Sequence, residues 1–346
     1  MKISRRDFLR MAAYSAAAAG ITQFDMDKLN QALAAPGGTG KPPVLWFEGL
    51  GDQGCIVSTA NYFNGTAGIE SVLLNNIELR YNQVLMGAAG QLAIDQANAV
   101  YNGAPATPTT LPPSYILILT GAMSNLNGYC ILGQDNTQQL EMIDYFSKLG
   151  ARAKWVIFAG SCACFGGVNM IGGNQIQNVP EATLPNHTGG PAFGGYAVTR
   201  NQGYRPARSV FIPGCPVHPD WLILTIVHIL TNNALPPRDG YGRPISILGS
   251  PTLFNATIHS QCPRKPQHDA GQFAVSVGDP VNCLVKVGCR GKDTYADCPS
   301  RGWNSTGTGG NGKWCNAPGI NHLCIGCSQP MFPAVPFNRQ IDNITP

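Results

Sequence analysis

The chain has 346 residues, a net charge of +4 and only 12% charged side chains, about half the usual share. So small a charge leaves no footprint for a nucleic-acid partner, and no apolar run reaches the roughly 18–20 residues of a membrane-spanning helix. With 44% hydrophobic residues, 41 Gly and 27 Pro, the composition is that of a loop-rich globule of about two domains, its surface partly covered by another protein.

The N-terminus carries Arg5 and Arg6, followed by Asp7, Phe8 and Leu9, an Ala-rich stretch and an A-x-A pattern at Ala32-Leu33-Ala34. A twin arginine in this setting reads as a Tat leader over residues 1–34, followed by a Pro/Gly linker over 35–43. The alternative is an amphipathic first helix with two surface arginines. Twelve cysteines in an exported chain would ordinarily suggest disulfides. The Tat route carries proteins already folded in a reducing cytoplasm, often with a cofactor inserted, which favours metal ligands.

From 44 to 233 short apolar runs alternate with helical periods. The runs at 44–47, 115–119, 155–159 and 210–212 are rich in β-branched and aromatic residues and read as buried parallel strands. Helical spacing covers 91–100, 138–149 (closed by Gly150 as a cap) and 220–230. This is an α/β, doubly wound pattern for a domain over 44–245, and ligands of such sheets gather beyond the carboxyl ends of the strands. Cys55, Cys162 and Cys215 each follow a predicted strand, so three loops at one sheet edge can converge on one site. Any one of them alone could be a buried unpaired thiol.

After about 245 the periodicity fades, and residues 246–346 form an irregular, loop-rich segment that needs staples in place of a large core. His259, Cys262, Cys283 and Cys289 make one candidate ligand set; Cys298, Cys315, Cys324 and Cys327 make another. The C-x-x-C spacing suits both structural zinc and iron–sulfur cubanes. A third set in the α/β domain turns the balance toward iron–sulfur clusters, since three such sites in one chain suit an electron relay better than three struts.

WFEGLGDQGC over 46–55, GSCACFGGV over 160–168, PGCP over 213–216, HSQC over 259–262, DAGQF over 269–273 and CIGC over 324–327 together resemble the small subunit of [NiFe] hydrogenases. The resemblance implies a flavodoxin-like N-terminal domain and a C-terminal cluster domain. It also implies a large partner protein bearing the Ni–Fe centre, the hydrogenase large subunit, where H2 is interconverted with protons and electrons, so that no catalytic residue belongs to this chain. Carried onto this sequence, the proximal cluster would use Cys55, Cys162 and Cys215, with Asp52 where the family has a fourth cysteine. Cys164 is the alternative fourth ligand. The distal cluster would use His259, Cys262, Cys283 and Cys289. The medial cluster would use Cys298, Cys324 and Cys327, with Cys315 as a fourth thiolate that makes it [4Fe–4S] in place of a [3Fe–4S] centre. Gly54 and Gly167 stand at the two extra positions of six-cysteine proximal sites, and Gly51 stands where a glutamate often precedes the first cysteine. The external acceptor would be a cytochrome or a membrane quinone-linked subunit. Glu48, Asp269, His187, His218, His228, His268 and His322 are given no cluster role. The competing readings are an iron–sulfur protein of the quinone-reductase branch and an exported protein stapled by disulfides or zinc.

Overall fold

The computed structural model describes residues 40–63, 67–123, 128, 130–167, 206–247, 253–303, 314–317, 322–330 and 332. The expected twin-arginine leader, most of the expected linker and His187 lie outside the described residues.

In chain order the elements of the first part are β1 (Pro43–Glu48), α1 (Gly54–Ala60), α2 (Ile69–Asn75), β2 (Glu78–Asn82), α3 (Gln91–Gly103), β3 (Ile116–Thr120), β4 (Ile131–Asp135), β5 (Gln138–Glu141), α4 (Met142–Arg152), β6 (Trp155–Ala159), α5 (Ser161–Phe165), β7 (Ser209–Ile212) and α6 (Pro219–Asn232). Five strands form a parallel sheet in the order β2-β1-β3-β6-β7, which is 2-1-3-4-5 when only the parallel strands are counted. That is the doubly wound, flavodoxin-like order.

Alternate residues of each strand feed two cores. Val44, Trp46, Ile116, Ile118, Ile157, Val210 and Ile212 pack with α6 on one face. Leu45, Phe47, Leu117, Leu119, Val156, Phe158 and Phe211 pack with α3 and α4 on the other. Helix α6 begins at Pro219, which needs no N–H at the first helical position, behind His218 as cap: His218 Nδ1 accepts from the Asp220 N–H at 3.1 Å. This helix is apolar nearly all round because the second part of the chain covers its far side. Leu253, Phe254, Ile258, Cys262, Cys289, Cys298, Trp314 and Cys324 join the same core as the sheet, and Trp221 Nε1 donates to Asp297 Oδ1 at 2.8 Å across the junction.

The second part holds three short helices, α7 (Ile258–Gln261), α8 (Lys265–Asp269) and α9 (Cys298–Arg301), joined by turns. No described helix is long and apolar enough to cross a membrane.

Two sequence expectations are corrected. Residues 138–141 are strand β5, paired antiparallel with β4 through a turn at Asn136, so the helix starts four residues later than its periodicity predicts. Gly150 does not stop that helix either. It lies buried inside the last turn, which runs on to Arg152, whose guanidinium stacks on the Tyr101 ring at 4.3 Å and donates to the Tyr101 carbonyl. Glycine permits a helix end without imposing one. Strand β2, the polar edge strand, and the short helices α1, α2 and α5 carry too little periodicity to be read from the sequence.

Candidate cluster sites

Cys55 sits in the first turn of α1 just beyond β1, Cys162 in the first turn of α5 just beyond β6, and Cys215 three residues beyond β7. The approach is close: Gly160, with φ of 88°, has no Cβ, and one would lie 2.3 Å from Cys55 Sγ. Burial pushes the Cys55 thiol up, against the pull of the Val217 N–H on its sulfur at 3.4 Å, and Glu48, Cys162 and Cys215 push it further. The Cys215 thiol is pushed up to about 11 by burial, Cys162 and Asp52. Asp52 acts on this group through its charge. It is exposed, with Oδ1 accepting from the Gly54 N–H at 2.9 Å. Cys164, two residues past Cys162 on the same short helix, points the other way. It is fully buried in the core on the opposite face of the sheet, where its thiol bonds the Phe158 carbonyl at 3.2 Å.

Glu48 closes the floor of this site. Its carboxyl accepts from Thr120 Oγ1, which itself accepts from Trp46 Nε1 at 3.0 Å, and burial raises its pKa. A Cβ at Gly51 would lie 2.3 Å from Glu48 Oε1, so a larger residue there would displace this carboxyl.

Cys298, Cys315, Cys324 and Cys327 meet in a second group. Cys315 is held protonated by its hydrogen bond to Cys324 and by burial, and that bond pulls the Cys324 thiol down. Burial and the Cys324 charge push Cys327 up to about 12, while Cys298 is raised by burial and then by Cys327.

His259, Cys262, Cys283 and Cys289 line one cavity together with Ile258, Val285, Gly291, Lys292 and Asn316. Burial raises all three thiols, Cys289 to about 12. Burial lowers His259, helped by His268 and by Lys292 and Lys265, so its imidazole is neutral and free to ligate. His268 approaches His259 with ring centroids 4.5 Å apart, and its Nδ1 lies 3.2 Å from Asp269 Oδ1; the sequence offered no signal for this contact.

The three groups adjoin in a row. The Cys327 sulfur feels the backbone and thiol of Cys215, and Ser161 ties the two loops, donating to the Cys327 carbonyl while accepting from the Gly214 N–H at 2.9 Å. At the other end, the N–H of Arg290, next to Cys289, donates to the Cys324 carbonyl at 2.7 Å, and the Cys324 charge raises the Cys289 thiol. None of the twelve cysteines is disulfide-bonded. Three convergent sets of soft sulfur donors fit iron–sulfur clusters, whose metal displaces the thiol protons.

Comparison with known proteins bears on the same residues. The family model for the C-terminal part of the NiFe/NiFeSe hydrogenase small subunit matches residues 254–338, and that of the 20 kDa subunit of NADH ubiquinone oxidoreductase matches 53–229. The small subunit 1 of the periplasmic [NiFe] hydrogenase of Nitratidesulfovibrio vulgaris is 31% identical, over 95% of this chain and 90% of its own length. The chain belongs to the small subunits of [NiFe] hydrogenases. The periplasmic [NiFeSe] hydrogenase small subunit of Desulfomicrobium baculatum is 29% identical over 96% of this chain and 97% of its own. A solved structure of the reduced, active Ni-Fe-Se hydrogenase of that organism superimposes with a TM-score of 0.68, at 28% identity, over 86% of this chain and 99% of the other. The actinobacterial-type NiFe-hydrogenase of Ralstonia eutropha H16 gives 0.66 at 27% identity, over 89% and 85%. The chain is therefore the electron-transferring iron–sulfur subunit of a heteromeric oxidoreductase acting on H2, paired with a large subunit that holds the Ni–Fe centre. The 20 kDa match covers only the α/β part, and the C-terminal ligand sets separate this chain from the quinone-reductase branch.

Proposed function

We propose that this chain holds three clusters in a row and passes single electrons between the large-subunit centre and an external acceptor. Asp52, Cys55, Cys162 and Cys215 hold the proximal cluster; Cys298, Cys315, Cys324 and Cys327 hold a medial [4Fe–4S] cluster; His259, Cys262, Cys283 and Cys289 hold the distal one. The observation that carries this reading is the adjacency of the three donor groups, through Ser161 bridging Gly214 and the Cys327 carbonyl and through Arg290, next to Cys289, bonded to the Cys324 carbonyl. Electrons enter or leave at the distal end, where His259 is only half-buried. Replacing a thiolate by neutral imidazole leaves that cluster less negative and favours its reduced form. The acceptor on this reading is a cytochrome or a membrane quinone-linked subunit. Residues 1–34 act as a Tat leader, 35–43 as a linker, 44–245 as the proximal-cluster domain and 246–346 as the medial and distal domain. Relatives named as periplasmic enzymes support export to the periplasm.

The proximal site departs most from a four-thiolate cubane. The exposed Asp52 acts on the Cys215 thiol through its charge, whereas the Cys164 thiol bonds the Phe158 carbonyl in the opposite core. A carboxylate oxygen is a harder ligand than a thiolate, so this corner is the labile one. Asp52→Ala is expected to lose proximal iron or shift the proximal midpoint potential, and Cys164→Ala to leave both unchanged. Iron analysis and an EPR-monitored redox titration check this; the opposite pattern moves the fourth ligand to Cys164.

A further inference from the structure

Two residues past Cys262, Arg264 is a buried cation, 2% exposed. Its guanidinium is gripped by main-chain carbonyls alone: Nε donates to Asn316 at 3.2 Å, and Nη1 to Asp279 at 2.9 Å and Asn282 at 2.7 Å. Nη2 has no partner among the described residues. The acid nearest in effect, Asp279, turns its own carboxylate to the N–H groups of Val281 and Asn282, both at 2.8 Å, and to Asn282 Nδ2 at 2.9 Å. A desolvated charge with no ion-pair partner costs several kcal/mol, so a buried cation kept in this way calls for an anion beside it. Arg264 stands beside the distal sulfurs, its own backbone N–H donating to Cys262 Sγ at 3.4 Å.

Asn316 makes the second half of the arrangement. It directly follows Cys315 and is 3% exposed; its Nδ2 donates to Cys262 Sγ at 3.4 Å, while its Oδ1 has no partner among the described residues. An iron-bound sulfur only accepts hydrogen bonds, so the amide N–H is the end that suits it. One residue thus touches a distal sulfur, follows a medial ligand in the chain and holds Arg264 through its carbonyl.

We propose that Arg264 is the built-in counter-cation of the distal cluster and that Asn316 is the positioning residue that keeps this charge, and an N–H···S bond, against Cys262. The proposal rests on the distal ligand set given above. Three thiolates on a cubane leave a net negative charge that grows on reduction, so a fixed cation and an N–H donor stabilise the reduced form and raise the potential. The same two residues therefore help make the distal cluster an electron sink at the exit of the row.

The test is an EPR-monitored redox titration of the intact two-subunit enzyme. Arg264→Gln is expected to lower the distal midpoint by the equivalent of about tenfold in the reduction equilibrium, about 59 mV for one electron, with the proximal midpoint unmoved. Arg264→Lys, which keeps the charge, is expected to hold the distal midpoint near that of the unsubstituted enzyme. An unmoved distal midpoint in Arg264→Gln at full iron content overturns the proposal. Should Arg264→Gln lose its distal iron, Asn316→Ala removes only the N–H donor and is expected to lower the same midpoint; no shift there overturns it equally. Absence of a distal signal from the unsubstituted enzyme is a different failure, since it removes the ligand set itself.

Discussion

At Cys315 the thiol is hydrogen-bonded to Cys324, and on the proposed assignment this residue sets whether the medial cluster has three irons or four. On the proposed assignment, Cys315→Ser replaces a soft thiolate by a hard hydroxyl, which holds iron weakly. The expected outcome is loss of about one iron and the appearance of an oxidised [3Fe–4S] EPR signal, with the distal and proximal signals retained. Unchanged iron and an unchanged spectrum would remove Cys315 from the ligand set. At this scale the sequence was informative about donors and nearly silent about their surroundings. The thiol and imidazole positions were readable because their chemistry and spacing are distinctive. Ser161, Arg264 and Asn316 were not, because each acts on a group far away in the chain: Asn316 reaches back 54 residues to Cys262, and Ser161 reaches forward 166 to Cys327. The sequence put Asp52 ahead of Cys164 as the fourth proximal ligand. The fold turns Cys164, two residues from Cys162 on one short helix, into the core on the opposite sheet face.

Among the elements, α6 does the most to hold the two parts of the chain together. It is nearly all apolar, lies between the sheet and the C-terminal loops, and carries Trp221, fully buried against Phe254 and Trp303 and hydrogen-bonded to Asp297. Asp297 directly precedes Cys298 and also pairs with Arg301 at 2.8 Å, so the indole fixes the start of α9 and with it a medial sulfur. Trp221→Ala opens a cavity and leaves a buried carboxylate oxygen short of a donor. The expected cost is about 3–5 kcal/mol. Thermal unfolding of the two-subunit enzyme checks it, with medial iron expected to be lost before proximal iron; a Tm within about 2 °C of the unsubstituted enzyme contradicts this role. The buried strands were legible because β-branched and aromatic runs such as Trp155–Ala159 have no other good home. The edge strand Glu78–Asn82 and the hairpin strand Gln138–Glu141 are largely polar, and only their pairing reveals them.

Across the whole molecule, the carboxyl edge of one parallel sheet and a loop-rich segment laid over one sheet face share the burden of cluster binding. The segment has little periodicity of its own, yet Cys262, Cys289, Cys298 and Cys324 pack into the same core as β1, β3, β6 and β7. Local irregularity hid that continuity from the sequence, although the composition pointed to a stapled region. On the proposed assignment, the order of the donor groups gives electrons a path from the sheet edge to the half-buried His259. Iron and acid-labile sulfide, measured on the two-subunit enzyme, test this arrangement most directly. Three cubanes give about 12 irons and as many sulfides in this chain, besides the single iron of the nickel site. About 11 irons would instead mean a three-iron medial centre. Zinc in place of iron, or only one cluster's worth of sulfide, would contradict a three-cluster relay.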